Sequence, residues 1–327
     1  MNYAEKFTII KILKAIRNEV FIMSFVSIVD LPATVVPPLL MTSGNLTFDC
    51  AINLLFLVLR DYTSTLISSR YILLRINQFD GVEEDKLNKP FRPVPSGLVT
   101  VEGARHRLIA FNIIFPTVSY LIGGLPLFIS AFLWQTWFVT FKLFDLSANA
   151  LCKNFFSAFG AWIMFVVASN LIIGTEFNVS NWWGREPCPS KLSVVIFVLL
   201  TLQIQDLRDQ KGDEFIGRKT LPLLIGDNIC RWLTALALVL SAFILYGSVN
   251  YYLILPGVKN LNKSVPLEFT IIEIVLFAVA AWVCVRLIKY RDQKEDRYTY
   301  EIWYSGFYAI LCLYYGMAIG TFAKIYY

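Results

Sequence analysis

The chain has 327 residues, of which 57% are hydrophobic, 15% aromatic and only 16% charged, and its mean hydropathy is +0.59. A soluble domain carries roughly a quarter charged residues, so the composition excludes an ordinary soluble fold and points to a membrane protein. The net charge of +5 does not mark a nucleic-acid binder, and six cysteines without a CxxC pair, beside the lone His106, argue against a zinc site.

Residues 1–19 form a basic, amphipathic arm with no uninterrupted apolar core and no small-residue cleavage site, so they do not read as a removable signal peptide. A spanning helix needs about 20 mostly apolar residues. By that measure residues 20–327 read as a single all-α membrane domain, a polytopic bundle of about nine helices around a central cavity. The spans fall at 20–42, 51–76, 104–122, 126–145, 154–174, 190–206, 230–249, 268–289 and 301–324. The third and fourth are separated only by the Gly-Gly-Leu-Pro stretch at 123–126. The second is unusually polar, with Arg60, Asp61, Ser68, Ser69, Arg70 and Arg75. Charges at membrane depth are costly and face a bundle interior or a wet cavity, so this span is expected to line one.

Basic residues alternate between loops. One set holds Lys86, Lys89, Arg92, Arg105 and Arg107, then Arg208, Lys211, Arg218 and Lys219, then Arg286, Lys289, Arg291, Lys294 and Arg297. The positive-inside rule places these loops and the N-terminal arm in the cytosol, with an endoplasmic reticulum location the expectation. Three N-x-S/T sequons, at Asn45, Asn178 and Asn262, all fall in the opposite loops.

Two carboxylate-rich segments carry the chemistry. The first closes the second span and reads NQFDGVEEDKLNKPFRPVPSG from Asn77 to Gly97. On a continuing helix Asn77, Asp80, Glu84 and Asp85 share one face, and Pro90, Pro93 and Pro95 then force an extended loop. The second closes the sixth span and reads DLRDQKGDEFIGRKT from Asp206 to Thr220. Asp206, Asp209 and Asp213 again lie on one face, with Arg208, Arg218 and Lys219 beside them. Acidic and basic residues at a span end are ordinarily a solvated helix terminus. Two such clusters on the same side, each followed by basic residues, argue for more than that. Like charges on one helical face repel. A hard divalent cation relieves the repulsion through oxygen ligands, and magnesium commonly bridges carboxylates to substrate phosphates. The expected metal ligands are therefore Asn77, Asp80, Glu84, Asp85, Asp206, Asp209 and Asp213. Lys89, Arg92, Arg208, Arg218 and Lys219 are the expected diphosphate-binding cations.

At these residues the sequence resembles the UbiA superfamily of intramembrane prenyltransferases, whose pattern N-D-x-x-D-x-x-x-D runs into N-K-P-x-R-P. A later D-x-x-x-D precedes G-x-K-S/T, matched here by Asp209, Asp213, Gly217, Lys219 and Thr220. Gly81 stands where the middle aspartate of the first motif is usual, and Gln78 where an aspartate is common. This variant form is similar to the fungal branch that includes membrane-bound sesquiterpene cyclases. The resemblance implies catalysis centred on Asp85, Asp209 and Asp213, magnesium as cofactor and a prenyl diphosphate as substrate. It implies ionisation of that substrate to an allylic carbocation within the bundle.

Cyclisation of a farnesyl diphosphate in secondary metabolism is the leading expectation. Prenyl transfer to an aromatic or other lipophilic acceptor is the runner-up, and transport is a third reading. Asp30, Asp61, Asn154 and Asn170 are the intramembrane polar side chains available to an acceptor. Among many aromatic residues, a minority are expected to line the cavity, where ring faces stabilise cations.

Overall fold

The computed structural model describes residues 11, 13, 14, 16–22, 31–42, 48–68, 94–144, 146, 149–173, 188–215, 217–257 and 267–326. Asn77, Asp80, Glu84, Asp85, Lys89 and Arg92 of the first motif, Asp30 and the three sequons lie outside these residues. Among the described residues the architecture is helical, and the one β-bridge pairs Asn149 with Lys219.

A π-helical turn, Leu31–Val35, leads into α1 (Val36–Thr42), followed by α2 (Phe48–Ser68). Then comes α3 (Val101–Leu143), which is too long to cross a bilayer once at 1.5 Å per residue. Its backbone leaves helical geometry at Gly123 (φ −145°) and Gly124 (φ 65°). Beyond that point the chain doubles back, so that the Gln135 side-chain amide donates to the Phe111 carbonyl at 3.3 Å. The Gly-Gly-Leu-Pro stretch therefore separates two antiparallel arms, as the sequence reading expected.

Next are α4 (Ala150–Ile173), α5 (Cys188–Thr201), α6 (Ile204–Phe215) and the short α7 (Leu221–Ile225). They are followed by α8 (Asp227–Gly257), α9 (Leu267–Lys289) and α10 (Gln293–Tyr298). A π-helical segment, Thr299–Tyr304, runs into α11 (Ser305–Tyr326). Among the described residues, five helical stretches are long and apolar enough to span a membrane, the two-armed α3 among them.

The sixth expected span does not run unbroken to residue 206. It ends at Thr201, and a turn closed by Gln205 N–H to Leu202 O and Asp206 N–H to Gln203 O (3.0 Å each) sets off α6 as a separate helix. Beyond the break α6 is polar, with three aspartates on its buried face, and does not continue the apolar surface of α5.

Packing brings these elements around one interior. α1 lies against α11, α2 against α3, α5 against both α4 and α8, and α6 against α10. The core joins Phe56, Phe115, Phe165, Phe197, Phe307, Tyr314 and Tyr315, while Leu121, Phe132, Leu236 and Ile274 are exposed. An apolar exterior around an aromatic interior is what a lipid-embedded bundle requires.

Candidate active site

The site is built on α6, whose buried face holds Asp206, Asp209 and Asp213, only 1%, 8% and 1% exposed. Residue spacing alone brings them together, since three- and seven-residue steps return to the same side of a helix. The helix ends in a Schellman motif: Gly217 N–H donates to Glu214 O at 3.0 Å and Arg218 N–H to Asp213 O at 2.8 Å. Gly217 occupies the left-handed position at φ 68°, where a side chain is strained. This turn directs Arg218 back onto Asp213, whose Oδ1 accepts from the guanidinium at 2.8 Å.

Sequence reasoning missed Lys153, in the first turn of α4. Its ammonium pairs with Asp206 and also acts on Asp213 through space. The signal was a lone lysine opening an otherwise apolar span. Asn149 fixes that turn by accepting from Leu151 N–H at 2.9 Å and Cys152 N–H at 3.2 Å, as a helix N-cap does. The same residue bridges to Lys219, so the start of α4 is clamped to the loop after α6. Lys219 itself is exposed.

Burial pushes the Asp213 carboxyl above the usual carboxylate range. Lys153 and Arg218 pull against that shift, while Asp206 and Asp209 add to it. One oxygen of Asp206 and one of Asp213 are buried without a hydrogen-bond partner. Buried carboxylate oxygens carry such a cost when another cation completes the site, and all-oxygen donors suit a hard divalent ion. These residues therefore fit magnesium. Among the described residues they do not form a complete metal-binding cluster of three acidic, histidine or cysteine groups.

Beside this acidic face lies a cavity of about 270 Å³. Gln205 and Arg208, on the adjoining face of α6, reach it, whereas the three aspartates do not line it. Arg208 donates to Glu301 at 2.7 Å and lies 4.4 Å over the Tyr300 ring. Aromatic walls come from Trp134, Phe138, Phe156, Tyr300, Tyr304 and Tyr308. Of the many aromatics in the sequence, Phe111, Phe115, Tyr120 and Phe132 do not contribute. Gly160 on α4 is what lets Trp134 lie against that helix, because a Cβ there would meet the indole at 2.4 Å. At the other end the cavity meets Thr34, Arg60, Asp61 and Ser64, so the described part of the polar second span borders an interior space, while Ser69, Arg70 and Arg75 lie outside the described residues.

Asn154, considered for an acceptor, is instead tied to the α5–α6 turn. It donates to Leu199 O at 3.3 Å and Gln203 Oε1 at 3.1 Å. A second network holds α6 from behind. Arg231 donates to both oxygens of Asp296 at 2.7 Å and to Asp227 at 2.8 Å, and Gln210 donates to Asp227 at 2.8 Å.

Among the described residues the molecule is a helical membrane protein with a buried acidic helix beside an aromatic-walled cavity. The chain belongs to the UbiA prenyltransferase family, whose profile matches residues 32–311. It is 28% identical to a somaliensene A/B synthase of Streptomyces somaliensis, over 70% of this chain and 71% of that one. It is 32% identical to a diterpene cyclase of Hericium erinaceus, over 72% of this chain and 68% of the relative. A polyprenyl transferase of the same fungus is 34% identical over 54% of this chain and 58% of its own. A chain from a structural study of digeranylgeranylglyceryl phosphate synthase superposes with a TM-score of 0.55 at 16% identity, covering 93% of this chain and 98% of that one. At that identity it supports the fold alone.

Proposed function

We propose that the chain is a magnesium-dependent membrane enzyme that ionises a prenyl diphosphate and cyclises the resulting carbocation, with farnesyl diphosphate as substrate. The observation that carries this reading is Arg208. It stands on the buried acidic helix and also lines the aromatic cavity, so one short element joins a diphosphate site to an apolar tail site. Asp206, Asp209 and Asp213 would hold magnesium together with Asn77, Asp80, Glu84 and Asp85, and catalysis would centre on Asp85, Asp209 and Asp213. When bound, magnesium neutralises charge developing on the departing diphosphate. Lys153 and Arg208 would neutralise the rest, joined by Lys89, Arg92, Arg218 and Lys219. Trp134, Tyr300 and Tyr304 would present ring faces to the cation, and the dry walls would keep water from capturing it. In this reading the arm at 1–19 and both motif loops face the cytosol, with residues 20–327 as one membrane domain in the endoplasmic reticulum.

Prenyl transfer to a lipophilic acceptor is the second reading, favoured by the likeness to the Hericium polyprenyl transferase. Gas chromatography–mass spectrometry of membranes incubated with magnesium and farnesyl diphosphate separates the two. A cyclic hydrocarbon formed without acceptor, and absent with Asp209→Asn, supports cyclisation. Product formed only with an added aromatic nucleophile establishes transfer.

A further inference from the structure

A prenyl tail is a hydrocarbon and needs no charged partner, yet the cavity ends on an ion pair. Arg60 and Asp61 are 2% and 5% exposed, and both border the cavity together with Thr34. Arg60 Nε donates to Asp61 Oδ1 at 2.9 Å, and its terminal nitrogen donates to the Thr34 carbonyl at 2.9 Å. The Thr34 hydroxyl donates to Asp61 Oδ2 at 2.6 Å. Arg60 also contacts the Met164 sulfur. Met164 lies eleven residues beyond Lys153 on α4, so this cluster is about 16 Å along that helix from the ion pair with Asp206. The cavity thus has one polar end suited to a diphosphate and a second, separate polar end beneath its aromatic walls.

A buried ion pair is weak support for stability, because desolvation offsets most of the attraction. Ionisable groups inside a membrane domain are functional candidates for that reason. Resting on the reading of the cavity as a prenyl site, we infer that Asp61 is the base that ends the reaction, with Arg60 and Thr34 as positioning residues. The carboxylate takes a proton from the carbon next to the cationic centre. The C–H electron pair becomes a carbon–carbon double bond, and Asp61 becomes a neutral acid. Its proton passes to water entering as the hydrocarbon leaves. Arg60 supplies the counter-charge beside the carboxylate in apolar surroundings before the cation arrives. A carbocation is acidic enough to surrender its proton even to a carboxylate held in an ion pair. Thr34 holds the second oxygen, so the carboxylate bordering the cavity has a set orientation.

The test measures inorganic diphosphate release and the hydrocarbon-to-alcohol ratio together, with purified full-length protein, magnesium, and farnesyl or geranylgeranyl diphosphate. Asp61→Asn is expected to lower hydrocarbon output about tenfold more than diphosphate release, with alcohols from water capture making up the difference. Thr34→Val keeps every charge and is expected to shift the ratio the same way by a smaller factor. It decides the matter if Asp61→Asn fails to fold. An unchanged ratio in folded variants, beside an active wild type, overturns the role of Asp61 alone. A wild type that releases no diphosphate from either substrate, with or without an acceptor, overturns both this inference and the reading beneath it.

Discussion

Individual residues divide the labour between holding charge and excluding water. Asp206 and Asp213 each keep a buried oxygen without a partner, an arrangement that makes sense for groups completed by a cation. Either Asp209→Asn or Asp213→Asn is expected to cut turnover about 100-fold or more while leaving the protein folded in the membrane. Near-normal turnover by either variant would remove it from the site. Lys153 pairs with Asp206 and acts on Asp213 through space. Lys153→Met is expected to raise KM for the prenyl diphosphate about tenfold, the loss of one charge-assisted contact. An unchanged KM would leave Lys153 a structural counter-ion. The spacing of Asp206, Asp209 and Asp213 was legible in the sequence because helical periodicity is local. Lys153 was not, because its meaning depends on α4 and α6 meeting, a tertiary event that no short window contains.

The elements that position the site are secured from outside it. Arg231 on α8 bridges Asp227 and Asp296, and Gln210 ties α6 to the same group. Removing one partner of a buried pair leaves the other charge uncompensated. Arg231→Ala is expected to destabilise the protein by about 3–5 kcal/mol, read as a lower unfolding midpoint in detergent. A midpoint like that of the wild type would show that α6 is held by other contacts. Gly217→Ala, which puts a side chain at positive φ, is expected to cost about 1–2 kcal/mol and to loosen Arg218 from Asp213; its readout is the same melting curve. The hairpin within α3 was readable from Gly123, Gly124 and Pro126, residues whose effect is local. The break between α5 and α6 was harder to see, since the apolar block runs up to Gln203 without glycine or proline and only the turn at 202–205 interrupts it.

Across the whole molecule, composition alone announced a membrane bundle, and the fold agrees in having, among the described residues, five membrane-length apolar stretches around a shared aromatic core. The cavity could not be drawn from sequence. Its walls come from the π-helical turn before α1, and from α2, α3, α4, α5, α6, α10, α11 and the π-helical segment between the last two, and the choice of Trp134 over Phe132 depends on which face each helix turns inward. The polar second span was the exception: Arg60 and Asp61 were conspicuous as charges in an apolar block, and they border the cavity as that cost demanded. We propose that this bundle joins a magnesium-dependent diphosphate site to that cavity. This is tested most directly by inorganic diphosphate release from farnesyl diphosphate, using purified wild-type and Asp213→Asn protein with magnesium and with a chelator. Release is expected from the wild type with magnesium only, and almost none from the variant. Equal release with the chelator, or from Asp213→Asn, would contradict it.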